Sequence, residues 1–367
     1  MTTASPARPD SELLDRIATR VLTQDPPVAV GDRSAVRRAV ARALAAEGVV
    51  VSPARWAKLV RDLVDELAGL GPLEAVLRSP DVTDVLVNGP DDVWVDRGGE
   101  LERAEVRFRD DDHVIEVLRR VLTPLGVRLD RSHPWADAVL RDGVRLHAVI
   151  PPLAEQPLLT LRRVPAVIPT WDELEDSGTV PADLGELLRR AVQQRRNLVV
   201  CGRAGVGKTT LLARLLAEVG HQRVVIIEDA PELNHPSVHS VHLHVRPATP
   251  DGTGGVEVAE LVRNALRMRP DRLVIGEVRG REVADMLQAM NTGHDGSMTT
   301  VHANGAEDAL VRLEGMALLA SVPLDAARAQ LTSALDLVVA LDRDADGRRH
   351  VAEVVEVTRA GVQQVWS

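Results

Sequence analysis

Residues 197–219 read Asn197-Leu-Val-Val-Cys201, then Gly202, Arg203, Ala204, Gly205, Val206, Gly207, Lys208, Thr209 and Thr210, and then carry Leu211, Leu212, Leu215, Leu216 and Val219. The first part is a short apolar run with the length of a fully buried strand, and the last has the apolar spacing of a helix. Between them stands G-x-x-x-x-G-K-[ST], and a strand before it with a helix after it is the context in which that pattern cradles phosphates. Glycine permits the dihedrals that turn successive N–H groups inward, and the helix N-terminus adds partial positive charge. Of 44 basic residues only Lys58 and Lys208 are lysines. A compact ammonium fits between β- and γ-phosphates where a planar guanidinium does not, so Lys208 is the residue type the site needs. Residues 202–210 are the expected phosphate contacts, the Thr209 hydroxyl is directed to Mg²⁺, and the expected ligands are ATP and Mg²⁺.

Working outward, strands and helices alternate after Pro181, the pattern of an α/β parallel sheet covered by helices. Val224-Val-Ile-Ile227 ends in Glu228-Asp229, and Leu273-Val-Ile275 ends in Gly276-Glu277. Ligands of an open parallel sheet sit at the carboxyl ends of its strands, so both acidic sets are expected beside the phosphate loop. Hydrolysis needs a carboxylate to orient and deprotonate water, and others to hold hydrated Mg²⁺. Glu228 and Glu277 are the candidates, with Glu277 also a Mg²⁺ contact, directly or through water; their positions do not say which is the base. Ser297–His302 reads as a further strand, whose end suits His302 to a γ-phosphate contact, and Gly293-His294 opens a Gly-rich turn before it.

Two arginine sets complete the candidates. Val258–Met268 predicts a helix with Arg263 and Arg267 at i,i+4. Arg141, Arg145, Arg162 and Arg163 flank Pro151-Pro152 upstream. Either set could supply arginine fingers, from the same chain or from a neighbour, and either could equally serve in plain salt bridges.

The chain has 367 residues, more than one ordinary core accommodates, so at least two domains are expected. With aromatics at 2%, the cores must be filled by Val, Leu, Ile and Ala. Acidic residues outnumber basic ones, 54 to 44, and the net charge of −10 argues against a domain devoted to non-specific nucleic-acid binding. Cys201 is the single cysteine, which excludes an intramolecular disulfide and a cysteine zinc site. The first ten residues lack a signal-peptide apolar region, and no apolar run approaches the ~18–20 residues that span a bilayer. A cytoplasmic protein is expected, associated with the membrane only peripherally, through partners. Composition and periodicity place a disordered tail at 1–10, a helical N-terminal segment at 11–71, an α+β N-terminal domain at 72–164, a linker at 165–181 and the P-loop domain at 182–367. Arg37, Arg38 and Arg42 lie between the apolar Val36, Val40, Ala43 and Leu44 of the first helical stretch and read as a solvated face, with a docking surface for a partner as the lesser reading.

Ile226-Ile-Glu-Asp229 with Glu232-Leu233 resembles the Asp box of the type II/IV secretion ATPase superfamily. Arg269-Pro-Asp-Arg-Leu-Val-Ile-Gly-Glu-Val-Arg-Gly280 resembles its atypical Walker B box, with Gly276 in the usual Asp position, and Met290–Asn304 resembles its His box. The wording Asn291-Thr-Gly-His-Asp-Gly-Ser297 is similar to the CpaF/TadA branch, the ATPases of tight-adherence (Flp-type) pili. Leu70-Gly-Pro-Leu73, Asp84–Gly89, Asp130–Ala138 and Asp142-Gly-Val-Arg145 running into Ile150-Pro-Pro-Leu153 agree, and the resemblance covers roughly residues 58–360. Gln156-Pro157 departs from the usual Gly-Pro before the Leu159-Thr-Leu-Arg162 strand.

The resemblance implies a RecA-like ATPase domain behind a mobile N-terminal domain, assembled into a hexameric ring beneath polytopic inner-membrane platform proteins. It implies phosphate and Mg²⁺ binding by Lys208 and Thr209, catalysis by Glu228 and Glu277, γ-phosphate sensing by His302, and nucleotide contacts from Arg141, Arg145, Arg162 and Arg163. The implied work is pilin or substrate movement driven by ATP hydrolysis. A DNA-translocating conjugation-type ATPase and a nucleotide-switched regulatory module without sustained turnover are the competing readings. A small-molecule kinase would share the P-loop but not need the long N-terminal half.

Overall fold

The computed structural model describes residues 9–24, 32–97, 99–140, 143–163, 168–233, 239–246 and 253–367. The chain divides into two compact units, Met1–Val164 and Pro165–Ser367.

The first unit opens with three helices, α1 (Pro9–Leu22), α2 (Arg33–Ala46) and α3 (Pro53–Ala68). Asp32 starts α2 by accepting from the Ser34 and Ala35 N–H groups at 2.9 and 3.1 Å, and Ser52 with Pro53 starts α3. Val36, Val40, Ala43 and Leu44 form the buried stripe of α2 and pack with Ile17, Leu59, Leu63 and Val64, while Arg37, Arg38 and Arg42 are exposed. The chain leaves α3 through Gly69 and Gly71, whose N–H groups both donate to the Asp65 carbonyl at 3.0 Å; Gly71 has φ +60°. Helix α1 takes in Pro9 and Asp10, which were expected in the disordered tail; residues 1–8 of that tail lie outside the described residues.

After α4 (Leu73–Leu77) come β1 (Val82–Asn88), β2 (Val93–Arg97), β3 (Glu100–Arg103), α5 (Asp111–Leu122), β4 (Trp135–Val139), β5 (Arg145–Val149) and β6 (Leu158–Arg162). They form an antiparallel sheet in the order β3-β2-β1-β6-β5-β4. Alternation puts Val85, Val87, Val93, Val95, Leu146, Leu159 and Leu161 on the face that meets Val114, Val117, Leu118 and Leu122 of α5. Val106 and Phe108 alternate as on a strand but lie in irregular chain beyond β3, which is itself exposed throughout. Phe108 is buried because its N–H donates to the Pro90 carbonyl at 2.8 Å and its ring meets His113 edge-on. A two-residue alternation does not separate a strand from an extended segment pinned by one bond.

The second unit contains α6 (Trp171–Asp176), α7 (Ala182–Gln193), β7 (Leu198–Gly202), α8 (Lys208–Ala217), β8 (Val224–Glu228), β9 (Ser240–His244), α9 (Val258–Ala265), β10 (Arg272–Ile275), α10 (Glu282–Met290), β11 (Met298–His302), α11 (Ala306–Leu319), α12 (Leu324–Ala334), β12 (Leu337–Arg343), β13 (Arg349–Thr358) and β14 (Gly361–Trp366). The sheet order is β14-β13-β12-β7-β11-β10-β8-β9; from β12 to β9 every pair is parallel, and β13 and β14 add an antiparallel edge. Both faces are covered, which is why the strands read as unbroken apolar runs. In β7, Leu198 and Val200 face the core shared with α7 and α8, while Val199 and Cys201 face the core shared with α9, α10 and α11. Burial pushes the Cys201 thiol up to about 12, so it is an inert core group.

The stretch expected as a linker is structured from residue 168 onward. A capping box between Thr170 and Glu173 starts α6, and Leu174 and Val180 are buried in the same core as α7 and α8. The Trp171 ring lies against the guanidinium groups of Arg189 and Arg214, at 5.6 and 5.5 Å. Proline and acidic residues on its exposed side conceal this short helix in the sequence.

Candidate functional site

Three parallel strands, β7, β11 and β10, end side by side and set the site. The loop from β7 to α8 turns through Gly202, Gly205 and Gly207, with φ of +151°, +75° and +102°. Gly202 is also sterically required: a Cβ there would stand 2.6 Å from the Leu341 carbonyl oxygen of β12 and 2.7 Å from Val206 Cγ2. Arg203, Ala204 and Gly205 are exposed, Val206 is buried beneath them, and Thr209 and Thr210 sit half-buried in the first turn of α8. Gly207 caps α8 in the left-handed conformation, and no side chain covers that helix end, so its first N–H groups are available to an anion. A triphosphate fits this cradle. Among the described residues no group of three His, Cys, Asp or Glu side chains is placed to hold a metal alone. Mg²⁺ would therefore be shared with the nucleotide's phosphates, its usual mode in such sites.

The ammonium of Lys208 is buried, donates to the Arg203 carbonyl at 2.9 Å and lies 3.3 Å from His302 Nδ1 at the end of β11. His302 Nε2 is 3.1 Å from Glu277 Oε1, and Glu277 Oε2 accepts from Arg279 at 2.7 Å. Arg279 reaches on to Asp229 at 3.5 Å. Lys208, His302, Glu277, Arg279 and Asp229 thus form one continuous polar chain across the strand ends.

Its electrostatics are consistent with that order. Burial holds the Lys208 ammonium below its ordinary range, with the Glu277 charge acting the other way. Burial, helped by Lys208, Arg279 and Arg312 and opposed by Glu277, also lowers His302, so the imidazole is neutral at neutral pH. A neutral ring can accept at Nδ1 from Lys208 with its Nε2 turned toward Glu277. Burial acts to raise Glu277, but the hydrogen bond from Arg279 and the charges of Arg279 and Lys208 act the other way, and the carboxyl lies below its usual value.

Glu228, at the end of β8, is differently placed. It is buried, and Oε1 accepts from the Glu232 and Leu233 N–H groups at 2.9 and 2.8 Å, anchoring the turn that follows. Oε2 is buried with no hydrogen-bond partner among the described residues, and His242 Nδ1 stands 3.7 Å away. A Cβ at Gly276 would lie 3.2 Å from Glu228 Cγ. Gly276 therefore leaves room for Glu228 where the larger residue usual at that position would crowd it.

The arginines divide. Arg163 donates to the Ser79 carbonyl at 2.8 Å and to the Leu77 carbonyl, so it clamps the end of α4. Arg162 pairs with its cross-strand neighbour Asp84 at 2.7 Å, with most of its side chain exposed. Arg145 is half-buried on β5, and Arg141 lies outside the described residues. Arg263 pairs with Asp285 of α10 at 3.1 Å. Helix α9 tightens to a 3₁₀ turn at Leu266–Met268, so the α-helical face expected to join Arg263 and Arg267 is interrupted. His294 bonds back to the Ala289 carbonyl and shapes the turn before β11.

Two arginines had not been singled out. Arg279 lies two residues beyond Glu277, and that spacing at a strand end was its available signal. Arg343, at the end of β12, donates to the Gly205 carbonyl at 2.9 Å; it lies 138 residues from the loop it braces, and nothing local announces it.

Residues 66–360 match the family described as type II/IV secretion system protein. The chain belongs to that family. A putative conjugal transfer protein of Mycobacterium tuberculosis is 42% identical over 309 residues, covering 82% of this chain and 88% of the relative. The type IV secretion system protein VirB11 of Brucella suis is 32% identical over 319 residues, 78% of this chain and 88% of VirB11. The Legionella pneumophila ATPase DotB aligns with a TM-score of 0.55 at 20% identity, over 78% of this chain and 80% of DotB. That likeness shows the fold: in this secretion-family chain a RecA-like domain follows an N-terminal α+β domain. Residues 9–65 precede the matched region and hold most of the three-helix segment.

Proposed function

We propose that the chain is an ATP-hydrolysing motor subunit whose turnover drives assembly of a tight-adherence (Flp-type) pilus or protein movement through a related secretion machine. The observation that carries the ATPase reading is the continuous chain from Lys208 through His302 to Glu277 beside a loop shaped for phosphates. Lys208 and the N–H groups of residues 202–210 hold the β- and γ-phosphates. Thr209, with Glu277 directly or through water, holds Mg²⁺, which when bound neutralises phosphate charge. The Glu277 carboxylate orients the attacking water and accepts its proton as the water oxygen bonds the γ-phosphorus and the bond to the β-phosphate oxygen breaks, giving ADP and phosphate. Neutral His302 links that base to Lys208 and senses whether the γ-phosphate is present. Glu228 is assigned a supporting catalytic role, with its buried Oε2 lacking a hydrogen-bond partner among the described residues. Arg141, Arg145, Arg162, Arg163, Arg263 and Arg267 are the candidates for the finger role; the Arg163 guanidinium is held by the Leu77 and Ser79 carbonyls and that of Arg162 by Asp84.

The pilus assignment rests on the wording of Asn291–Ser297 and the N-terminal motifs. The subunits are proposed to act as a hexameric ring in the cytoplasm, docked on membrane platform proteins; no described helix is long and apolar enough to cross a membrane. The name of the M. tuberculosis relative favours a second reading, a conjugation-linked translocase, against which the net charge of −10 weighs. Turnover stimulated by DNA would establish that second reading, and stimulation by platform protein alone the first. Lys208→Ala should abolish sustained phosphate release; near-normal turnover in that variant refutes the ATPase assignment, and a single burst without cycling in the wild type would make the protein a switch.

A further inference from the structure

A cavity of about 300 Å³ lies against the side of the catalytic chain that faces α11, lined by Glu277, Val278, Arg279, His302, Arg312 and Met316. It has room for roughly ten waters, hence for one small hydrated anion and not for a nucleotide. Its charges are asymmetric. Glu277 Oε2 accepts from Arg279 at 2.7 Å and Oε1 stands 3.1 Å from His302 Nε2, so the carboxylate already has partners within the wall. Arg312 is exposed on α11, forms no ion pair among the described residues, and is near enough to help depress the His302 pKa. One guanidinium without an ion pair among the described residues therefore lines a cavity that shares His302 with the Lys208 site, since His302 Nδ1 lies 3.3 Å from Lys208 Nζ and its ring also lines the cavity.

We infer that this cavity is a second anion site, for inorganic phosphate, in which Arg312 binds the phosphate freed at Lys208 before it leaves the protein. Its place in the reaction rests on the proposed ATPase activity; its capacity to bind phosphate does not. A planar guanidinium offers paired donors to a tetrahedral oxyanion, and a half-enclosed site strengthens them.

Orthophosphate binding to the full chain, without nucleotide or Mg²⁺, tests the site by calorimetric titration of the wild type, Lys208→Ala, Arg312→Gln and Arg312→Lys. Lys208→Ala, which disables the P-loop, should still bind phosphate. Adding Arg312→Gln to it should weaken that binding by roughly tenfold, the worth of one charged hydrogen bond, and Arg312→Lys should restore part of it. In steady-state turnover, Arg312→Gln should relieve product inhibition by added phosphate. Loss of all phosphate binding in Lys208→Ala, or binding there that ignores Arg312→Gln, overturns the site. Binding that behaves as expected in a protein with no ATP turnover would keep the site and refute the ATPase reading instead, so the two fail separately.

Discussion

Gly202→Ala adds a single methyl group at the last residue of β7, and the surroundings set its effect. The new Cβ would sit 2.6 Å from the Leu341 carbonyl oxygen and 2.7 Å from Val206 Cγ2, about 1 Å inside ordinary contact. Leu341 O belongs to the β12 backbone paired with β7, so it cannot swing away as a side chain would. A φ of +151° is itself costly for an L-residue, at about 1–3 kcal/mol. Overpacking adds a similar ~1–3 kcal/mol, for a total of roughly 2–6 kcal/mol. At about 2–4 °C per kcal/mol for a domain of this size, the melting temperature should fall by roughly 4–24 °C. Relief must come from separating β7 from β12 or displacing the loop by several tenths of an ångström, and misplacement on the 1 Å scale can cost about a hundredfold in rate. Gly205→Ala is the control: its φ is +75°, but a Cβ there meets only Arg343 Nη2, at 3.7 Å. It should lose only the ~1–2 kcal/mol of a left-handed alanine. Thermal melts by circular dichroism and coupled-enzyme turnover on both variants measure the difference. If Gly202→Ala melts and turns over like Gly205→Ala, close approach of β12 does not set the phosphate loop.

Glu277→Gln should bind ATP with near-wild-type affinity and hydrolyse it at least a hundredfold more slowly; loss of binding in a nucleotide-fluorescence titration would make Glu277 structural. Arg279→Gln removes a hydrogen bond and a charge that help hold the Glu277 carboxyl down against burial, so the acid limb of the pH–rate profile should move to higher pH, and an unmoved limb would contradict the assignment of Glu277 as base. The depressed Glu277 carboxyl contributes stability above its unfolded value of 4.5 that is lost as pH falls through the folded value, and the depressed His302 destabilises the fold as pH drops below 6.5, where only the unfolded chain binds its proton. Both act in the same direction, so the double variant Glu277→Gln/His302→Asn should lose less stability than the wild type between pH 7 and 4 in denaturant titrations. Asn197→Ala strips partners from the Gly296 and Ser297 N–H groups and the Ala334 carbonyl, all within 2.9 Å of its amide, and should cost roughly 2–5 kcal/mol while leaving nucleotide affinity intact at the far end of β7.

The phosphate loop was legible in the sequence because each part has a local cause: apolar run, glycines, lysine, helical period. Glu277 and His302 were legible as strand ends, because a parallel sheet gathers its strand ends on one edge. Their contact through His302 Nε2 was not, since adjacency of β10 and β11 is a matter of sheet order. Glu228 illustrates the limit from the other side. Its position at a strand end suggested chemistry, whereas one of its oxygens is engaged in holding residues 232–233. Thr170–Val180 was misassigned because a six-residue helix with two buried apolar residues has too short a period to register against its prolines and acids. Arg163 looked available as part of an arginine cluster, and only the carbonyls of Leu77 and Ser79, more than eighty residues away, reveal its structural task.

Strand β7 pairs with β11 on one side and β12 on the other, and with nothing near it in sequence. A ribosome making this chain has therefore delivered Lys208 long before either neighbour exists. The P-loop cannot take its final shape until residues 298–302 and 337–343 have emerged, with Arg343 closing it last through Gly205. Nucleotide binding is thus a late event in the life of each molecule, and a truncated chain carrying an intact P-loop motif but no β12 would have the motif without the pocket. Contacts of such long sequence separation also make this domain slow to fold. ATP would stabilise the finished protein without assisting the earlier stages, when the apolar edges of β7 are open.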